Sequence, residues 1–177
     1  MAKQNSGPQK RYVRSIVASP VGKLTLVATD DGLAGILWEH ERAGRVRLPI
    51  QSEDDAHPVL VETARQLAEY FAGRRTVFAV PLDLAGTVFQ RKVWDALLTI
   101  PFGETRSYAQ IARHIGHPAA ARAVGAANGR NPVSIVAPCH RVIGAGGKLT
   151  GFAGGLQAKA RLLALEGVEV ERPSDRL

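Results

Sequence analysis

Alternating apolar and polar residues near the start of the chain predict a small β-sheet. Tyr12–Ser19, Lys23–Thr29 and Gly32–Glu39 are rich in β-branched and other apolar residues. Two short turn sequences separate them, Pro20-Val21-Gly22 and Asp30-Asp31-Gly32. Because turns this short join neighbouring strands running in opposite directions, the pattern predicts an antiparallel meander.

A helix and one further strand are predicted after this sheet. Pro58 begins a helical pattern that ends at Gly73, and Phe78–Leu84 has the pattern of a short strand. One face of the helix is apolar, with Leu60, Ala64, Leu67 and Phe71. The helix is therefore predicted to pack on the sheet.

The composition changes at Ala85-Gly86-Thr87, and we place a domain boundary there. The predicted organisation is a flexible leader over residues 1–10, an N-terminal α/β domain over residues 11–85 and a C-terminal domain over residues 86–177.

The C-terminal domain is predicted to be mainly helical. A first helix has apolar residues at helical spacing, namely Phe89, Val93, Trp94 and Leu97. Ser107 and Gln110 form a capping box for a second helix, Tyr108–Ile115. A third helix, Ala119–Asn128, follows after a Gly-His-Pro turn, and two short helices joined in this way are typical of a helix-turn-helix.

The remaining segments complete an α+β fold. An apolar stretch, Val133–Ala137, and a glycine-rich stretch, Gly144–Gly155, precede a last helix at Leu156–Leu165. The glycines fit neither the dinucleotide fingerprint nor the phosphate loop, so we interpret them as turns and close packing. The predicted fold is a small N-terminal antiparallel sheet with a helix, followed by a mainly helical, winged-helix-like domain containing the helix-turn-helix.

Charge and cysteine content narrow the function classes. Lys and Arg total 23 against 16 acids in 177 residues, and Gly86–Leu165 holds ten of these cations and only two acids. This half is the candidate nucleic-acid face, the alternative being a generally basic surface.

Localisation and redox chemistry follow from other features of the sequence. Because it has neither the apolar run of a secretory signal peptide nor a membrane-spanning run, we expect a cytoplasmic protein. The single cysteine excludes an internal disulfide and leaves a structural zinc site without its usual thiolates.

The third helix is unusual because almost all of its side chains are tiny. Only Arg122 is long, and Ala121 and Gly125 would allow close approach to a nucleic-acid backbone. A helix with one long polar side chain favours shape-driven docking, with the arginine filling a gap in the base stack, over sequence-specific base reading. An alanine-rich helix buried in the core is the alternative.

Cys139 lies in a setting that could activate a thiol. It follows the apolar stretch and precedes His140 and Arg141, whose positive charges would favour the thiolate. His140 could act through a bridging water or after a turn, and Glu166 could orient it. Inert packing of a buried cysteine is the alternative.

The motif around this cysteine resembles the O6-alkylguanine-DNA alkyltransferase family. The signature is Pro138-Cys139-His140-Arg141-Val142-Ile143-Gly144, preceded by Asn131-Pro132 and followed by Gly151-Phe152-Ala153-Gly154-Gly155-Leu156 and Lys159. The detailed similarity extends from Phe89 to about Gly167, and the preceding sheet and helix are similar in plan to the N-terminal domain of the family.

The resemblance implies a role for each matching residue. Cys139 is the alkyl acceptor, His140 the water-bridged base, Glu166 the carboxylate that holds it and Asn131 the hinge residue. Tyr108 belongs to the pocket and contacts DNA with Ala121, Arg122 and Gly125, and the pocket also includes Val142, Phe152 and Ala153.

The implied activity is a single-turnover DNA repair reaction. The protein binds the minor groove of double-stranded DNA, flips O6-alkylguanine out of the stack and transfers the alkyl group irreversibly to Cys139, with O4-alkylthymine a second candidate substrate. We expect no cofactor, no metal, no obligate protein partner, no membrane association and a monomer. Phe152 and Ala153 replace the Tyr and Ser of some relatives, which removes two hydroxyl groups from the pocket.

Two other function classes compete with this interpretation. A cysteine acyl transferase or protease also combines cysteine, histidine and a carboxylate, but it needs oxyanion donors and a histidine far away in sequence. A non-catalytic DNA-binding module would explain the helix-turn-helix and the charge but would not need Cys139. Alkylation of Cys139 by damaged DNA discriminates among the three.

Overall fold

The computed structural model describes residues 9–170, and the N-terminal half contains a four-stranded sheet. The strands are β1 (Tyr12–Val17), β2 (Leu24–Thr29), β3 (Gly32–Trp38) and β4 (Ile50–Glu53). Their order is β3-β2-β1-β4, with antiparallel pairing throughout β1, β2 and β3. The predicted meander is confirmed.

The edges of this sheet differ from the prediction. β4 was not predicted, and it pairs in parallel with β1. The predicted strand Phe78–Leu84 is wrong, because only a single bridge joins Leu82 to Leu33. Pro81 lacks a backbone N–H and cannot donate to a ladder, although its carbonyl accepts from Leu33 N at 2.8 Å.

Helix α1 (Pro58–Phe71) packs across the sheet, as the apolar pattern predicts. Its buried positions are Leu60, Thr63, Gln66, Leu67 and Tyr70. Tyr70 is fully buried, whereas Phe71, the predicted core residue beside it, is only partly buried. The buried face is thus rotated toward Tyr70.

The second half is helical, as predicted. It contains α2 (Val88–Leu97), β5 (Arg106–Ser107), α3 (Tyr108–His114), α4 (Ala121–Gly129), β6 (Val142–Ile143) and α5 (Leu156–Leu165). The capping box of Ser107 and Gln110 is present. α4 begins two residues later than expected, where the Ala120 side chain offers no cap. The α+β fold class is confirmed.

Two apolar cores hold these elements. One joins the sheet and α1 to Val133–Ala137 and α5, so it spans both halves of the chain. The other lies among α2, α3 and α4, where the indole of Trp94 donates to Ala127 O at 2.8 Å. Within residues 9–170, no helix is long and apolar enough to cross a membrane.

Candidate active site

Asn131 connects the end of α4 to the cysteine segment. It is fully buried, its Nδ2 donates to Ala137 O at 2.8 Å and its Oδ1 accepts from Val133 N at 3.1 Å. Both bonds lie within the irregular segment 131–137. A side chain that satisfies two backbone groups in this way fixes the path of the chain toward Cys139.

The same segment contains backbone strain. Ile135 has φ 76°, in the left-handed region, and is 1% exposed. A β-branched residue in this conformation costs about 1–3 kcal/mol. Packing in the core that spans both halves maintains the conformation, and Ile36 N of β3 donates to Pro132 O at 2.8 Å.

Cys139 begins a single 3-10 turn and is 3% exposed. Its Sγ lies 3.9 Å from Ser134 Oγ. Burial raises the pKa of the Cys139 thiol, although hydrogen bonding with Asn131 and Ser134 and the positive charges of Arg45 and Lys159 act in the opposite direction. Positive charge thus favours the thiolate, as expected, but desolvation is the larger effect on the buried thiol.

Glu166, the residue that caps α5, accepts five hydrogen bonds. Its Oε1 accepts from His140 Nε2, Arg141 Nη2 and the Tyr70 hydroxyl, each at 2.8 Å. Its Oε2 accepts from Arg141 Nε at 2.8 Å and from Gly103 N at 3.3 Å. The structure thus brings His140 and Glu166 together, and Arg141 forms a two-pronged ion pair with the same carboxylate.

The charges in this cluster determine which histidine nitrogen carries a proton. Burial alone would raise the pKa of Glu166, but the hydrogen bonds from His140 and Arg141 lower it to about 2. Burial lowers the pKa of His140 despite the attraction of Glu166. A neutral imidazole facing an ionised carboxylate carries its proton on Nε2. Its Nδ1 is buried and has no hydrogen-bond partner among the described residues, so it is available as a base.

Lys159 supports the loop that follows the cysteine. It is fully buried, and its Nζ donates to Val142 O at 2.6 Å and to Thr150 O at 3.1 Å. Burial lowers its pKa to about 8. The Thr150 hydroxyl also lies 2.6 Å from the Tyr108 hydroxyl. This loop is therefore joined to the first residue of α3.

The other predicted pocket residues lie on β6 and on the same loop. Val142 is fully buried, whereas Phe152 and Ala153 are half-buried. The Phe152 ring packs edge-on against Trp38 with centroids 5.3 Å apart. The indole of Trp38 donates to Ser134 Oγ at 3.1 Å. Trp38, the last residue of β3, therefore contacts one residue before Cys139 in the sequence and one after it.

The predicted DNA-binding residues lie on the helix-turn-helix. Arg122 is exposed near the start of α4, and Ala121 and Gly125 are partly exposed. A Cβ placed on Gly125 would lie 3.7 Å from the ring of Tyr108. α4 therefore packs closely on the residue that begins α3, and the Arg122 side chain extends into solvent.

Tyr70 and Trp38 also belong to this site, although no sequence motif indicates either residue. Both belong to the N-terminal half and are fully or almost fully buried aromatic residues with a polar atom. A buried aromatic residue with a polar atom requires a hydrogen-bond partner. This requirement is the only indication of their role that the sequence offers.

The fold and the site define an α+β protein in which a helix-turn-helix adjoins a buried cysteine, a histidine and a carboxylate. Two family models match it: "6-O-methylguanine DNA methyltransferase, ribonuclease-like domain" over residues 12–84, and "6-O-methylguanine DNA methyltransferase, DNA binding domain" over residues 88–168. The chain belongs to the 6-O-methylguanine-DNA methyltransferase family. The resemblance seen in the cysteine motif is confirmed.

Individual relatives are similar over most of the chain. A methylated-DNA–protein-cysteine methyltransferase of Mycolicibacterium paratuberculosis is 52% identical over 155 residues, covering 85% of this chain and 89% of the relative. One from Methanosarcina acetivorans is 48% identical over 153 residues, covering 86% and 97%. The crystal structure of Mycobacterium tuberculosis OGT in complex with DNA has a TM-score of 0.79 at 49% identity, covering 88% and 92%.

Proposed function

We propose that this chain repairs DNA as a methylated-DNA–protein-cysteine methyltransferase, moving the alkyl group of O6-alkylguanine to Cys139 in one irreversible step. The observation that carries the site assignment is the buried cluster in which Glu166 holds His140, the residue next to Cys139, with Nδ1 free to accept a proton. We further propose cytoplasmic action and a division into two domains at residues 85 and 86.

The proton and the electron pairs can be followed through these residues. His140 Nδ1 takes the proton of Cys139 through a water molecule, and Glu166 stabilises the resulting imidazolium. The sulfur attacks the alkyl carbon, a C–S bond forms, and the bond between carbon and O6 breaks with its electron pair passing to the purine. Tyr108 donates a proton to the departing purine. Its phenolate then regains a proton from solvent while the His140 imidazolium releases one, so the net change is transfer of the thiol proton to the purine. No step requires a cofactor.

Access to Cys139 requires the damaged nucleotide to leave the helix stack. Because the thiol is 3% exposed behind the helix-turn-helix, a base within a duplex cannot reach it, and extrusion costs a few kcal/mol. We propose that α4 docks in the minor groove, where Ala121 and Gly125 permit close approach and Arg122 occupies the space of the flipped nucleotide. Asn131 then transmits the position of α4 to the cysteine segment.

Intact mass spectrometry with a duplex containing O6-methylguanine tests this function. Wild-type protein should gain the mass of one CH2 group, and peptide mapping should place it on Cys139. Cys139→Ser should remain unmodified while still binding the duplex. An unmodified wild-type chain that binds the lesion would contradict repair and indicate a non-catalytic binder.

A further inference from the structure

The carboxylate of the active site is held from both halves of the chain. Of the five hydrogen bonds to Glu166, four come from residues 103–141 and one comes from Tyr70 on α1. The Tyr70 hydroxyl binds the same oxygen, Oε1, that accepts from His140 Nε2. A single carboxylate oxygen therefore links the Tyr70 hydroxyl to His140, the proposed base.

The Tyr70 ring is well fixed for this role. It is 0% exposed and packs against three other rings, those of Phe71, Phe78 and Phe102, with centroids 5.3, 5.4 and 6.2 Å away. Burial and the neighbouring carboxylate raise the pKa of its hydroxyl, so this group remains a donor at any pH at which the protein works.

We propose that Tyr70 is a positioning residue for alkyl transfer: its hydroxyl restrains Glu166 and sets how strongly that carboxylate attracts the His140 ring. The donors to Oε1, which are Tyr70, His140 and Arg141, share its negative charge, so the Tyr70 bond weakens the attraction of this oxygen for the His140 Nε2–H. The consequence for the reaction rests on the proposed function, whereas the coupling of Tyr70 to His140 rests on the geometry alone.

Other charged and titratable groups around His140 also influence its pKa. Glu166 attracts its proton, whereas the positive charges of Arg141 and Lys159 oppose its protonation. Arg141 keeps its ion pair with Glu166, and Cys139 is the neighbouring thiol. Removal of the Tyr70 hydroxyl changes no charge in this set, so a shift in the titration of His140 reports the lost hydrogen bond.

The experiment compares Tyr70→Phe with wild type in reaction with free O6-benzylguanine, which needs no nucleotide flipping. The pH below which the rate declines should move upward by about half a unit, because His140 becomes easier to protonate. On that acidic side the rate should fall about threefold, as the shift requires. Tyr12→Phe is the matched control, since Tyr12 makes no side-chain hydrogen bond to the described residues, and it should keep the wild-type profile.

A direct titration of the His140 imidazole by NMR separates positioning from stability. In Tyr70→Phe the midpoint should move upward with the rate profile. An equal loss of rate at every pH, or an unchanged His140 titration, would show that Tyr70 only packs. Site-specific 3,5-difluorotyrosine at position 70 is a stronger donor of nearly native size, so it should shift the midpoint downward. No shift would overturn the proposal even if Tyr70→Phe did not fold.

These outcomes remain distinct from failure of the proposed function. If wild-type protein takes no alkyl group from the free base or the duplex, the methyltransferase assignment fails. The His140 titration still tests Tyr70 in that case, because it requires no reaction.

Discussion

Glu166 is the residue on which the proposed proton transfer depends most. It is buried, ionised and bound by His140, Arg141 and Tyr70. Glu166→Gln should slow reaction with free O6-benzylguanine at least tenfold, since a neutral amide stabilises an imidazolium poorly. Duplex binding should change far less. Glu104→Gln, at an exposed carboxylate, is the control and should react normally.

If Glu166→Gln instead keeps the rate and loses binding, Glu166 acts only as a structural helix cap. Its loss should also leave Arg141 buried without its partner, so stability must be measured in parallel. Assays at a temperature where circular dichroism shows both proteins folded remove this ambiguity.

The same carboxylate predicts a pH dependence of stability. Its folded-state pKa is about 2 against an ordinary value of 4.5, so its contribution is complete above about pH 4.5 and is lost as the pH falls toward 2. The difference corresponds to roughly 3 kcal/mol. In urea titrations over this range, the free energy of unfolding should fall less steeply for Glu166→Gln than for wild type. Parallel curves would contradict the shift.

The individual site residues that could be predicted are those that a local sequence motif contains. Cys139, His140 and Asn131 stand close together in the sequence, and Glu166 follows a recognisable last helix. Tyr70 lies 96 positions from Glu166, so no local pattern could pair them. The pKa of Cys139 also depends on its burial in the folded protein, which opposes the effect of nearby positive charges and cannot be judged from adjacent residues.

Among the elements, the glycine-rich loop should be sensitive to one methyl group. A Cβ on Gly154 would lie 2.5 Å from the Trp38 ring, whereas nothing lies within 4 Å of a Cβ on Gly151. Gly154→Ala should therefore destabilise the protein by about 1–3 kcal/mol through overpacking. Gly151→Ala, the control in the same loop, should have a melting temperature close to that of wild type. Equal melting temperatures for both variants would show that Trp38 yields without cost.

Helix α4 carries the arginine that we expect to act in nucleotide flipping. If Arg122 fills the space left by the flipped nucleotide, Arg122→Ala should slow repair in duplex DNA by one or more orders of magnitude, because extrusion costs a few kcal/mol. Reaction with free O6-benzylguanine should be nearly unchanged. Arg74→Ala, at an exposed arginine of the N-terminal half, controls for the loss of one charge.

Equal losses on duplex and free base would mean that Arg122 supports the fold or the pocket. A phosphate contact would give a third result, in which binding to all DNA weakens and the salt dependence decreases by roughly one unit.

The helices were predicted more accurately than the sheet edges. Helices α1, α2 and α3 have capping residues or sharp apolar periodicity, which are local signals. β4 has only one apolar residue, Ile50, and is stabilised by main-chain pairing with β1. Phe78–Leu84 has strand composition but meets β3 at a single bridge. Pairing between distant strands is not encoded within either segment.

For the whole molecule, the arrangement predicts that each protein reacts once. Cys139 is the only cysteine of the chain, and the thioether formed there has no bond that the neighbouring histidine and carboxylate could hydrolyse. Titration with an excess of O6-methylguanine duplex should therefore reach a plateau at about one alkyl group per chain. A second addition of damaged DNA should remain unrepaired, while fresh protein should restore repair with the same stoichiometry. Release of unmodified protein and continued turnover would require a group that removes the alkyl from sulfur, and would contradict single use.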